Sequence, residues 1–226
     1  MFRTLLSVYL IFSAPTAWAD HLFVMELFTS QGCSSCPPAD EMLTEYASRD
    51  DVIALSYHVD YWDYMGWEDT LGQRAFSDRQ KNYATVAGQS MVYTPQMILN
   101  GVHHVRGYQP AEVAAFYDDA PAPEVHLEVT QVDGGYVLSS PEAPHLGRMT
   151  VQLVRYIPQT VVHVRAGENE GREMLYTNSV VSLEELRRWD GDEPLDIRVP
   201  ADSDFELVVL IQATGFGPIF GAVLLP

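Results

Sequence analysis

The sequence predicts an α/β domain over residues 20–120 followed by a small mainly-β, sandwich-like domain over residues 124–226. Three observations predict it. Apolar runs of strand length alternate with helix-period segments in the first half. A Cys-x-x-Cys pair, Cys33 and Cys36, directly follows the first of those runs. Past Ala120-Pro121-Ala122-Pro123 the texture changes to strand-like runs separated by Gly, Pro and Asp turns.

Residues 21–29 (HLFVMELFT) form the first strand-like run and end at the turn Ser30-Gln31-Gly32. Cys33 then opens a helical segment with Pro37 and Pro38 in its first turn, where the missing N–H groups cost nothing, and with Met42, Leu43, Tyr46 and Ala47 on one face. Residues 51–58 read as a second strand, and strand, helix, strand at this length is a right-handed parallel crossover. Residues 69–87 carry Leu71, Ala75, Phe76 and Tyr83 at helical spacing. Pro95 introduces a short strand, Asn100-Gly101 is a hairpin turn, residues 102–106 return, and residues 110–117 close as a helix. That order, β-α-β-α-β-β-α, is the minimal thioredoxin-like topology. In the second half, strands are expected at residues 124–131, 136–139, 149–156, 161–165, 195–199, 206–212 and 219–225. One helix is expected at residues 182–189, and Gly167 to Arg172 reads as a turn.

The chain has 226 residues and a formal net charge of −18, with Lys81 its one lysine. Phosphate backbones and anionic lipid surfaces repel such a chain, so nucleic acid is not an expected partner. Residues 1–19 carry Arg3, an apolar run from Leu5 to Phe12 and Ala17-Trp18-Ala19. That is the pattern of a secretory signal peptide cleaved between Ala19 and Asp20, and the run is shorter than the ~20 residues of a membrane span. Stable membrane insertion is not expected.

The two cysteines belong to one motif in a chain that reads as exported, where a stray thiol is a liability. A disulfide across so short a loop has little chain-entropy leverage, so the pair points to chemistry more than to stabilisation. Redox exchange is favoured over an inert pair or a metal ligand pair, and no cofactor is expected. Cys33 is the expected nucleophile and Cys36 the resolving thiol. A helix N-terminus stabilises a thiolate by about 0.3–1 kcal/mol, at most about 2. With no Lys or Arg nearby, a moderate thiol and a potential toward the reducing or isomerising end follow.

Thr94-Pro95 stands before the hairpin strand, where a cis bond would let the Thr94 backbone pair with an extended substrate beside the attacked sulfur. The aromatic stretch after the second strand leaves the same sheet edge as the Cys33 loop. Tyr61, Trp62 and Trp67 are therefore candidates for a substrate wall or lid, and His58 and Asp60 for proton transfer, with Asp63 a further carrier. His103-His104 raises a copper-handling alternative with two thiolates, although one side chain in and one out along a hairpin is the simpler account.

The segments Glu26 to Asp40 (ELFTSQGCSSCPPAD), His58 to Asp63 (HVDYWD) and Tyr93-Thr94-Pro95-Gln96 with Asn100-Gly101 resemble a family of secreted bacterial thioredoxin-like proteins of unknown function, the domain of unknown function 1223. The likeness extends to Gly167-Glu168-Asn169 and Gly217-Pro218-Ile219. It implies a bacterial protein, periplasmic or secreted, with a thioredoxin-like fold, and names no substrate. The function expected is thiol-disulfide exchange with a protein or peptide disulfide, served by an electron-transfer partner. The alternative is a copper-handling or redox-inert partner-binding module.

Overall fold

A computed structural model describes residues 23–226, so the expected signal segment lies outside the described residues. The first half contains β1 (Phe23–Thr29), α1 (Pro37–Ala47), β2 (Val52–His58), α2 (Arg74–Val86), β3 (Gln96–Leu99), β4 (His103–Arg106) and α3 (Pro110–Asp118), in the expected order. The second half contains β5 (Glu128–Val132), β6 (Gly135–Ser140), β7 (Met149–His163), β8 (Glu173–Trp189), β9 (Leu195–Pro200), β10 (Glu206–Ala213) and β11 (Ile219–Leu225).

The expected fold class, an α/β thioredoxin-like domain with a small separate β domain, is corrected by the sheet. Eight strands from both halves form one mixed sheet in the order β11-β10-β7-β8-β2-β1-β3-β4. Its two halves meet where β2 and β8 run parallel at Ser56 and Ser179. An edge strand offers a row of unpaired N–H and C=O groups, and β8 covers the edge that β2 would otherwise expose. Neighbourhood in the sequence suggests two separate groups of strands, whereas this pairing joins positions more than a hundred residues apart. The remaining strands form a three-stranded sheet, β5-β6-β9. It packs Leu138, Leu195 and Val199 onto Met149, Val151, Leu153, Val209 and Ile211 of the large sheet.

The helix expected at residues 182–189 is the second correction. This Leu-, Glu- and Arg-rich segment has good helix propensity, yet it is the end of β8 and pairs with β7 from Met149↔Trp189 to Arg155↔Ser182. Local propensity is worth tenths of a kcal/mol per residue, and the tertiary pairing overrides it. The strands expected at residues 149–156 and 161–165 are one strand, β7. Its neighbour β10 pairs with it only as far as Tyr156. Pro158 therefore falls where that side of β7 has no ladder to interrupt. Beyond this point β7 and β8 run on as a two-stranded hairpin whose tip is residues 164–172.

β1 shows how the core is divided. Phe23, Met25 and Leu27 face α1 and α3 with Ala39, Met42, Leu43 and Val113. Val24 and Phe28 face the other side with Tyr57, Phe76 and Tyr83. Glu26 shares that second side and is fully buried. Its carboxylate accepts from Arg79 Nε at 2.8 Å and from the Tyr83 hydroxyl at 2.5 Å. Arg79 Nη2 also donates to Gln212 Oε1 at 3.2 Å, which ties α2 to β1 and β10.

Asn100 and Gly101 both have positive φ, 47° and 74°, as the hairpin turn requires. A Cβ on Gly101 would lie 2.7 Å from the Gly217 carbonyl oxygen. Ile219 N–H donates to Asn100 C=O at 2.9 Å. The Asn100-Gly101 and Gly217-Pro218-Ile219 motifs are thus one docking contact between the halves.

Candidate functional site

Strands β1 and β2 are parallel and end together, Thr29 opposite His58. The Cys33 loop and the aromatic loop therefore leave the same edge. Cys33 and Cys36 form a disulfide. Helix α1 begins at Pro37 with Cys36 as its N-cap, and Cys33 stands one turn earlier. Cys36 N–H donates to Cys33 C=O at 3.2 Å, closing that turn. The helix terminus expected beside Cys33 therefore belongs more directly to Cys36. Ser35 Oγ lies 3.4 Å from Cys33 Sγ. Although Ser34 and Ser35 are exposed, the cysteines are 1% and 0% exposed.

Gln31 organises the loop. Its N–H donates to Asp69 Oδ2 at 2.7 Å, and its side-chain oxygen accepts from Trp67 Nε1 at 2.8 Å. Asp69 also accepts from Leu71 N–H at 2.9 Å and lies 2.8 Å from His58 Nδ1. Burial pushes the Asp69 carboxyl up, but His58 and the N–H groups of Gln31 and Leu71 outweigh it and hold the carboxyl below its usual value. Ionised Asp69 thus takes the Nδ1 proton as hydrogen-bond acceptor, leaving His58 Nε2 buried without a partner.

On α1, Asp40 lies one turn past Cys36, its N–H donating to the Cys36 carbonyl at 3.1 Å. Both of its carboxyl oxygens are buried without a hydrogen-bond partner. Burial pushes the carboxyl up to about 7, against the opposing pull of His58 and Thr29. The Thr29 hydroxyl is near enough to act on it but stops short of a formed hydrogen bond. His58 stands edge-on to Tyr176, ring centroids 4.5 Å apart. Asp40 and His58 are thus two buried titratable side chains with unpartnered polar atoms, Asp40 one turn past Cys36 and the His58 imidazole anchored by Asp69.

Trp62 reaches from the Cys33 loop to the hairpin strand. Its Cβ would lie 3.3 Å from a Cβ placed on Gly32, and its Nε1 donates to Thr94 Oγ1 at 2.7 Å. The Thr94-Pro95 bond is cis. Tyr61 donates to Gln80 Oε1 at 3.0 Å, and Gln80 in turn donates to the Tyr93 carbonyl at 2.7 Å. Trp67 is a bracket between Gln31 and Gly167. Asp60 turns instead to α2, where the Ser77 hydroxyl donates to its carboxylate and accepts from its N–H. His103 lies 2.9 Å from Glu112 Oε1 and stacks on Phe116, while His104 faces Tyr83 and Gln96. Among the described residues no group of three or more His, Cys, Asp or Glu is arranged to hold a metal ion.

The third wall comes from the β7–β8 tip. Asn169, 1% exposed, donates through Nδ2 to the carbonyls of Gln31 and Cys33 at 2.9 and 3.0 Å. Glu168 Oε2 accepts from Ser34 N–H at 3.3 Å. Asp40, Asp69, Gln31 and Asn169 are the site residues that sequence reasoning missed. Asp40 had a legible signal, its i+4 spacing from Cys36 on an apolar helix face. Asn169 stood out only as part of the Gly167-Glu168-Asn169 likeness, which assigns it no role.

The fold and site define a mixed-sheet protein with a buried Cys-x-x-Cys disulfide where two parallel strands end. The chain belongs to the family described as "Protein of unknown function (DUF1223)", whose profile matches residues 24–212. It is similar to the crystal structure of protein AGR_C_4864 from Agrobacterium tumefaciens, with 33% identity over 94% of this chain and 96% of that one and a TM-score of 0.76. No curated protein matches.

Proposed function

We propose that the protein is a thiol-disulfide oxidoreductase of the bacterial cell envelope, released there by cleavage of its signal peptide near Asp20. The observation that carries this reading is the disulfide between the chain's two cysteines, backed by the unpartnered Asp40 carboxyl and His58 Nε2. A structural cross-link does not need a buried acid/base pair, and a burial cost of that kind is characteristic of reactive sites.

In the reduced protein, Cys33 thiolate attacks a protein or peptide disulfide. One substrate sulfur leaves as thiolate and a mixed disulfide remains on Cys33. Cys36 then loses its proton to Asp40, with His58 able to pass it on, and its thiolate attacks Cys33 Sγ. The second substrate thiol leaves and the Cys33–Cys36 disulfide is restored. The substrate gains two electrons and two protons, and a dithiol electron partner must return the protein to its reduced form. Thr94-Pro95, Tyr61 and Trp62 are the proposed substrate-holding surface, with Trp67 bracing the loop behind it.

A Cys36→Ala protein expressed in its native host is expected to accumulate partners on Cys33 as mixed disulfides released by dithiothreitol. Capture no greater than that of a Cys33→Ser/Cys36→Ala control would overturn the proposal.

A further inference from the structure

The Gly167-Glu168-Asn169 motif has no place in the exchange steps, yet it reaches from the far half of the chain to the redox loop. Asn169 has every polar group of its side chain used: Nδ2 donates to two loop carbonyls, and Oδ1 accepts from Arg172 Nη1 at 2.9 Å. The tip itself is tightly built. Gly171 N–H donates to Val164 C=O at 2.8 Å, and Val164 N–H to Arg172 C=O at 3.0 Å. Gly167 and Gly171 both have φ of 80°, a conformation only glycine adopts freely, at the two ends of the segment that carries Glu168 and Asn169. Gly167 also abuts Trp67, which is bonded to Gln31. The tip therefore grips the same loop from two sides, and the pair beneath it is almost wholly shielded from solvent.

We propose that Asn169 is the positioning residue of the redox loop and that the 164–172 tip is a latch over Cys33, so that a thiol reaches the pair only after the tip lifts. A thiolate must approach a disulfide sulfur along its S–S axis, and burial of both cysteines closes that approach. The two Asn169 bonds to main-chain carbonyls, both buried, hold the closed state. The tip thereby makes the C-terminal half the part of the chain that sets how fast the pair reacts. The inference needs only that the disulfide can be reduced and does not depend on which substrate it serves.

The experiment measures, far below the unfolding transition, the rate at which dithiothreitol reduces the Cys33–Cys36 disulfide in the full-length mature protein. The dithiol is oxidised to its cyclic disulfide, and the pair gains two electrons and two protons. Asn169→Asp keeps the side-chain shape and loses both donors, and Asn169→Ala removes the side chain beyond Cβ. Both are expected to react about tenfold faster than the parent. Asn178→Ala, on the stem of the same hairpin where Asn178 donates to Ala54 C=O at 2.9 Å, is expected to lower the urea midpoint and leave the rate unchanged. Parent-like rates in both Asn169 variants overturn the latch, as does equal acceleration in Asn178→Ala. Either result leaves the exchange reaction itself standing, because mixed-disulfide capture on Cys33 is read separately.

Discussion

Asp40→Asn is expected to remove a pH dependence of stability centred between pH 4 and 7, and at the same time to slow thiol exchange. The sign follows from the shift. Asp40 has a carboxyl raised from 3.8 to about 7 in the folded protein, so the folded state binds its proton more tightly than the unfolded state does. Its contribution to stability is therefore fully present below pH 4 and is lost as pH rises through 7. At 1.36 kcal/mol per pKa unit, the parent protein loses roughly 4 kcal/mol from this one group between pH 4 and pH 8. Asparagine carries no titrating proton, so urea unfolding of the variant should lack that decline and give the greater stability at pH 8. The same variant cannot accept a proton from Cys36, and its resolving step is expected to slow about a hundredfold, the usual worth of a positioned base. A variant with the parent's stability profile and the parent's resolving rate would show that Asp40 is neither buried as described nor in proton contact with the pair.

Arg79→Met is expected to cost about 3–5 kcal/mol, because it leaves the fully buried Glu26 carboxylate without its cation. Tyr83 would remain as a donor to Glu26 at 2.5 Å, and Gln212 would lose the guanidinium at 3.2 Å. The Arg79 guanidinium also lies over the Tyr83 ring, 5.0 Å from its centroid. A methionine keeps much of the volume but none of the charge. Adding Glu26→Gln should restore a large part of the loss, since the damage is an uncompensated buried charge more than a missing contact. Urea unfolding of the two single variants and the double variant gives the coupling energy. A loss below about 1 kcal/mol for Arg79→Met, the size of a surface pair, would mean that this network does not join α2, β1 and β10 as one unit.

The first half was legible because its signals are local. The apolar runs, Pro37 and Pro38 at a helix start, and Asn100-Gly101 at a turn each act within a few residues. The parallel pairing of β1 and β2 then follows from chain length and handedness, and it places His58 at the Cys33 edge. What the sequence withheld is long-range. Residues 182–189 look helical by propensity and become strand because β7 offers a partner. The meeting of Ser56 with Ser179 depends on two edges with nowhere else to go, and no local pattern encodes that. Asp60 and His58 looked equivalent as acid/base candidates, but Ser77 on α2 captures the first while Asp69 orients the second. Asn169 lies 136 residues from the carbonyl of Cys33 that it holds. Its role is visible only once the β7–β8 hairpin is seen to overrun the sheet.

The central claim is that the Cys33–Cys36 pair is a working redox couple. Equilibration of the folded protein in glutathione buffers of graded ratio, with thiols alkylated and counted by mass, tests it directly. The expected result is one reversible two-electron transition, with native folding retained in both states, toward the reducing or isomerising end of the range for such couples. A pair that stays oxidised in every buffer until the protein unfolds would contradict the account and leave the disulfide a structural cross-link.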